Sequence, residues 1–154
     1  EDGDGSCSWQ APAGGLGTIP VFMCVKTAAD QSIATSTNTK ITGWTELFDT
    51  NSDFASDTFT PTESGYYLFV MMCNLETLSD NKYTNVRLFK NGSNKYESSQ
   101  VGGGSSIQNQ STVIVDANGT TDYFDFYVWH NHGSNRTMTN QAPMAYFQGF
   151  KIAE

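Results

Sequence analysis

Residues 59–75, FTPTESGYYLFVMMCNL, decide the fold. A turn bearing Pro61 and Gly65 opens the stretch, and from Tyr66 to Leu75 only Asn74 interrupts an apolar run. Successive side chains of a strand face opposite sides. Tyr67, Phe69, Met71 and Cys73 therefore share one face, and Tyr66, Leu68, Val70 and Met72 the other. An antiparallel strand in a small sandwich ordinarily keeps one wet face and reads apolar and polar in turn. This one is apolar on both. One face fills a core; the other needs a cover that a single all-β domain of 154 residues does not obviously supply. A second copy of the chain is the expected cover. The alternatives are a strand held between two sheets of one subunit, or a buried helix, which the aromatic pair and the upstream turn residues disfavour.

Composition agrees with a sandwich of short strands. Charged residues make up 16 % and aromatics 13 % of the chain, while Ser, Thr, Asn and Gly crowd the connections. A disordered chain would pair low hydrophobicity with dense charge. The net charge of −8 and a pI near 4.5 argue against unaided binding to nucleic acid or anionic lipid. No apolar run approaches the ~20 residues of a membrane span. Cys7, Cys24 and Cys73 leave at least one thiol without an intrachain partner. Cys24 and Cys73 sit in apolar strands, where a thiol behaves as a small hydrophobe, so reduced cysteines and assembly in a reducing cytosol are expected.

Residues 1–18 are rich in Gly, Asp and Pro and read as a linker, leaving residues 19–154 as one domain. Within it, strands are expected in IPVFMCVKT, NTKITGW, ELFDTN, the opening stretch, TNVRLFKNG and KYESSQV, the last a polar edge. After Gly102-Gly103-Gly104, IQNQSTVIVDANG is a long strand closing on an Asn-Gly turn of hairpin chemistry. DYFDFYVWHN alternates Phe124, Phe126 and Val128 with Asp125, Tyr127 and Trp129, and PMAYFQGFKI ends the domain. About ten strands and no helix are expected.

Four segments carry a family resemblance. Phe59, five residues, Gly65, one residue, Tyr67, one residue, Phe69 has the spacing of the signature of C1q-like globular heads, in the TNF/C1q jelly-roll superfamily. TKITGWTELFDTNSDF, residues 39–54, resembles the C1q-like heads of bacteriophage and bacterial surface proteins. AYFQGFKI resembles the family's closing strand, and Lys90-Asn91-Gly92 its turn out of the fourth strand. The resemblance covers residues 19–153 and departs at Met71, where the family prefers an aromatic. It implies a jelly roll that assembles as a homotrimer, with Phe59, Gly65, Tyr67, Phe69, Phe147 and Phe150 as its core signature. In the family the first, last and signature strands lie in an inner sheet around a threefold axis, and here those segments are the ones apolar on both faces. Met23, Tyr66, Leu68, Val70, Met72 and Tyr146 are therefore expected to line the trimer contact. GDGSCSWQAPAGG, residues 3–15, is similar to the junction before the terminal domains of phage fibres. It implies an upstream stalk or anchor through which other virion proteins are met.

Catalytic signals are weak. His130 and His132 share a strand face but lack a clear third metal ligand, and no G-x-S-x-G elbow occurs. Gly102-Gly103-Gly104 lacks the Lys-Ser/Thr of a phosphate loop. No enzyme, cofactor or metal is expected. Sequons at Asn91, Asn109, Asn118 and Asn135 carry little weight in so Asn-rich a chain. The segment Trp129 to Thr137 joins an aromatic platform to amides, imidazoles and one Arg, a set suited to gripping a sugar. Trp129, His130, His132, Asn135 and Arg136, with Trp44 from another loop, form the candidate glycan or receptor site. The plain alternative is a loop of turn formers with a Trp capping the core edge. The expected function is a trimeric phage-fibre head binding a host-surface receptor or glycan, located on the virion. The alternatives are a structural trimerisation cap or capsid-decorating head, and a secreted bacterial C1q-like adhesin.

Overall fold

Alternation of apolar and polar residues becomes thirteen strands in the computed structural model, which describes residues 19–154. The expected linker and Cys7 lie outside the described residues. The strands are β1 Val21–Lys26, β2 Gln31–Ile33, β3 Thr39–Lys40, β4 Trp44–Asp49, β5 Phe54–Ala55, β6 Thr58–Phe59 and β7 Ser64–Leu75. There follow β8 Tyr83–Lys90, β9 Ser93–Val101, β10 Ile107–Asn118, β11 Phe124–His130, β12 Arg136–Met138 and β13 Tyr146–Ala153. The excess over ten comes from pairings two or three residues long, which no periodicity reveals. A seven-stranded sheet runs β2-β12-β7-β13-β1-β4 with β10 also paired along β7, and a six-stranded sheet runs β5-β6-β11-β8-β9 with β3 on β11. All pairs are antiparallel, so the first, last and signature strands are neighbours in one sheet.

Aromatic rings fill the space between the sheets. Phe22, Phe59, Tyr67, Phe69, Phe124, Phe126 and Phe147 are fully buried. Phe22 stacks on Phe59 at 4.2 Å between centroids and meets Phe147 edge-on at 5.0 Å, and Phe69 lies 4.9 Å from Phe124. Such pairs add roughly 0.5–1.5 kcal/mol each beyond area burial. Phe59, Tyr67 and Phe69 are thus one contiguous part of this packing. Gly65 serves it differently. Its φ of 144° belongs to a region side chains rarely adopt, and a Cβ there would stand 2.4 Å from the Ala153 carbonyl oxygen. The glycine lets the end of β13 close onto the start of β7.

Two expectations are corrected. Phe150 is not part of the core: it is 43 % exposed, because Phe147 and Gly149 take the inward positions of β13 and Phe150 falls on the opposite face. The Asn118-Gly119 turn is not a hairpin either. β10 pairs with β7 and β11 with β8, so this loop carries the chain from one sheet to the other. Asn118 Oδ1 holds it by accepting the N–H groups of Thr120, Thr121 and Asp122 at 2.9–3.0 Å. The Asn-Gly hairpin lies at Asn91-Gly92 instead, where φ values of 54° and 74° join β8 to β9 through a two-residue turn with Lys90 opposite Ser93.

Candidate functional site

The face of the seven-stranded sheet turned away from the core carries apolar side chains from five strands, with Gln148, Thr112 and Gln110 among them. Val21, Phe150, Leu68 and Ile114 stand in one cross-strand row. Phe48, Met23, Gln148, Val70 and Thr112 form the next, and Val25, Tyr146, Met72 and Gln110 the one beyond. Tyr66 stands beside these rows at 49 % exposure, and Ile114 is 52 % exposed. Each of the six residues expected at a subunit contact therefore lies on this face. Sequence reasoning missed Val21, Phe48, Ile114 and Phe150. The signal for Ile114 was available, as a lone apolar side chain among Thr112, Asp116 and Asn118 on the polar positions of β10. Phe48 gave less warning. The register of β1 with β4 shifts between Met23 and Cys24, and this bulge at Leu47 sets Phe48 opposite Met23.

At the end of the sandwich holding the β7–β8, β9–β10 and β11–β12 loops, the histidines are structural. His130 and His132 are buried, which corrects their placement on an open ligand loop. His130 Nε2 donates to the Ile33 carbonyl at 2.9 Å, while its Nδ1 accepts the His132 N–H at 3.3 Å. His132 Nδ1 accepts the Ser79 N–H at 3.1 Å, leaving Nε2–H to donate to Thr84 Oγ1 at 3.0 Å. Every ring nitrogen is used, each ring is neutral, and burial holds both pKa values below the ordinary histidine range. The two rings tie β11 to β2, to the β7–β8 loop and to β8. Gly102 leans on the same cluster, since a Cβ there would meet His132 Cε1 at 2.9 Å.

The remaining members of the expected site diverge. Arg136 Nη2 donates to the His132 carbonyl at 2.9 Å and to Ser79 Oγ at 3.0 Å, so the guanidinium is largely spent on the loop itself. Asn135 is exposed beside it. Trp129 lies on the outer face of the six-stranded sheet under the Arg87 guanidinium, 5.1 Å from ring centroid to Cζ. Trp44 turns the other way, stacking on Phe126 at 5.6 Å and donating Nε1–H to the Ile41 carbonyl at 3.1 Å. It packs on the core and does not join Trp129.

The buried thiols Cys24 and Cys73 are both unbridged, each pushed up to about 12 chiefly by burial, and neither is a nucleophile at neutral pH. Among the described residues no group of three His, Cys, Asp or Glu side chains converges as a metal site. No helix of the described residues is long and apolar enough to cross a membrane.

No family model and no curated protein matches the chain. Solved structures do. The Eiger TNF of S. frugiperda aligns with a TM-score of 0.66 at 10 % identity, covering 88 % of this chain and 94 % of its own. The globular domain of zebrafish complement 1qA gives 0.60 at 17 % identity, covering 88 % and 98 %. The PRD1 vertex protein P5 gives 0.59 at 14 % identity, covering 86 % and 96 %. At these identities the likeness fixes the fold alone, a TNF/C1q-like jelly roll.

Proposed function

We propose that this TNF/C1q-like jelly roll is a non-enzymatic head domain that works as a homotrimer. The observation that carries the reading is the row Val21, Phe150, Leu68 and Ile114, aligned across four strands of the sheet face turned away from the core. Exposed apolar patches of this kind mark interaction sites. Obligate interfaces resemble a core cut in half. Leu68 is already half-buried in the protomer, so covering the rest of it contributes only part of the about 1.5–3 kcal/mol of a full burial. A carboxylate in its place adds a desolvation cost of several kcal/mol. Leu68→Glu should give monomeric or insoluble protein where the wild type sediments as a trimer. A wild-type monomer rejects the assembly, and an undisturbed Leu68→Glu trimer rejects this face.

The finer reading is the head of a phage fibre, carried on the virion and engaging a host-surface receptor or glycan. The fold likeness to a phage vertex protein supports its place on a virion, and the expected upstream junction would supply the link to other virion proteins. Trp129, Asn135 and Arg136 stay as candidate contacts; loss of binding by Trp129→Ala on a glycan array is the test of that loop. Soluble head should compete with virions for adsorption, and a head that binds no host cell sinks the receptor reading. One observation favours a structural cap instead: the two histidines expected at a ligand loop are used up in holding strands together.

A further inference from the structure

A cleft of about 480 Å³ opens at the seam where β9, the edge of the six-stranded sheet, faces β10, the edge of the seven-stranded one. Small-molecule sites run from roughly 300 to 1,000 Å³. Consecutive residues of a regular strand point to opposite sides, yet Lys95 and Tyr96 both line this cleft. The cause is a bulge. Leu88 stands opposite Tyr96 and Phe89 opposite Asn94, which leaves Lys95 as the extra, unpaired residue. Bulges at sheet edges re-aim side chains in this way.

The charges in the cleft are unequally committed. Lys90 Nζ lies 2.9 Å from the Asp116 carbonyl, 3.0 Å from Asp116 Oδ2 and 3.0 Å from Asp122 Oδ2, so all three of its donors are used. Lys95 makes no ion pair among the described residues. It is an uncommitted ammonium in a chain with sixteen Asp and Glu against eight Lys and Arg. Beside it the Tyr96 ring is 41 % exposed, and the Ser93 hydroxyl and the second oxygen of Asp116 remain for polar partners. A dianionic phosphate would meet Asp116 and Asp122 with only one free cation against it. A neutral sugar would leave that cation unused.

We propose that this cleft binds a sugar carrying one carboxylate, of the uronic- or sialic-acid class. The Lys95 ammonium takes the carboxylate, the Tyr96 ring stacks on the apolar face of the sugar, and Asp116 and Ser93 take its hydroxyls. The choice of a sugar rests on reading the head as a host-surface-binding module. The test titrates the full chain calorimetrically with sodium glucuronate, N-acetylneuraminate and, as the uncharged counterpart, glucose. One of the acids should bind saturably and about tenfold or more tighter than glucose, a difference of about 1.4 kcal/mol, and added salt should weaken it. Lys95→Ala and Tyr96→Ala should each lower that affinity at least about fivefold, with Lys95→Arg retaining most of it. Both residues lie on an exposed edge strand, where substitutions leave folding nearly untouched. Glucose binding as tightly as the acids, no saturation by either acid, or unchanged affinity in both alanine variants overturns the assignment. Host adsorption by the wild-type head is measured in parallel. Adsorption without acid-sugar binding rejects the cleft and leaves the host-surface reading standing; absence of adsorption with acid-sugar binding does the reverse.

Discussion

Replacing Gly149 by alanine should destabilise the fold through a crowding that can be located and then relieved. Gly149 of β13 stands opposite Phe22 of β1 and Phe69 of β7. A methyl group there would fall 2.7 Å from Phe69 Cδ1, 2.9 Å from the Leu68 carbonyl oxygen and 3.0 Å from Phe22 Cε1. Carbon atoms rest about 3.5–4.0 Å apart, so both rings must retreat by at least about 0.5 Å. Neither is free to do so, because Phe22 stacks on Phe59 at 4.2 Å and Phe69 is held between Phe124 at 4.9 Å and Phe147 at 5.8 Å. Overpacking of this kind costs about 1–3 kcal/mol. For a domain of this size that is a fall in Tm of about 3–10 °C. Thermal unfolding is followed by circular dichroism at one fixed protomer concentration, because the proposed self-association would make Tm concentration-dependent. Phe69→Leu alone also destabilises, by leaving a void. If crowding is the mechanism, the double variant loses less than the sum of the two, with a coupling of about 0.5–3 kcal/mol. Strict additivity, or a Gly149→Ala protein melting within about 1 °C of wild type, refutes the reasoning.

The histidine pair should make the fold sensitive to mild acid. Burial lowers both pKa values in the folded state, so the unfolded chain takes up protons first. Stability is whole above the unfolded value of about 6.5 and falls as pH drops below it, by up to about 1.4 kcal/mol per pH unit for each histidine. Denaturant unfolding of His132→Gln between pH 7 and 5 should show a shallower decline than wild type, and an unchanged slope counts against the network. Asp53 has the opposite sign. Its Oδ1 accepts both the N–H and the hydroxyl of Thr62, but its Oδ2 is buried without a partner. Burial raises its pKa, opposed by the Thr62 bonds and reinforced by Asp49 and Glu63. Its contribution is favourable below about pH 3.9 and is lost as pH rises through the raised folded value. Asp53→Asn should therefore gain about 1 kcal/mol at pH 7 and nothing near pH 3, and a loss at pH 7 would contradict the assignment.

Period-two alternation was enough to place the core and the second apolar face. Tyr67, Phe69, Met71 and Cys73 point inward and Tyr66, Leu68, Val70 and Met72 outward, because a strand allows only those two sets. Pairing was another matter. Asn118-Gly119 and Asn91-Gly92 have the same local chemistry, yet only the second closes a hairpin. Which strand receives β10 depends on where the rest of its residues find apolar partners, not on the turn. Phe150 misled for a related reason: a motif records spacing, while its three-residue step from Phe147 reverses the face. The candidate ligand site dispersed because it was assembled from residues close in sequence. A sandwich instead sends Trp129 to one surface, His130 to the interior and Trp44 to the other side of the sheet. The cleft was invisible for the same reason, since a bulge exists only relative to a partner strand and Lys95 reads alone as an ordinary edge charge.

The two outer faces of the sandwich differ in what they leave unmet. On the six-stranded sheet some charges are paired: Lys40 Nζ sits 2.7 Å from Asp125 Oδ1, and Arg87 Nε lies 2.8 Å from Glu97 Oε2 without hydrogen-bond geometry. Arg87 also covers Trp129, and Phe89 stacks on Tyr127 at 4.0 Å. That surface still leaves Tyr83 and its cross-strand partner Val101 exposed at the end of β8 and β9. The seven-stranded face offers no such internal pairing for Leu68, Ile114 or Phe150. Association through the seven-stranded face would give either a two-fold pair, face to face, or a contact with a different surface of the next protomer, which closes into a ring when the rotation allows. A two-fold pair would set Tyr66, Phe48 and Phe150 of like faces against each other. An apolar edge available to such a contact is the bulge at Leu47, 55 % exposed beside Phe48. Sedimentation at twice the protomer mass selects the first geometry and at three times the second.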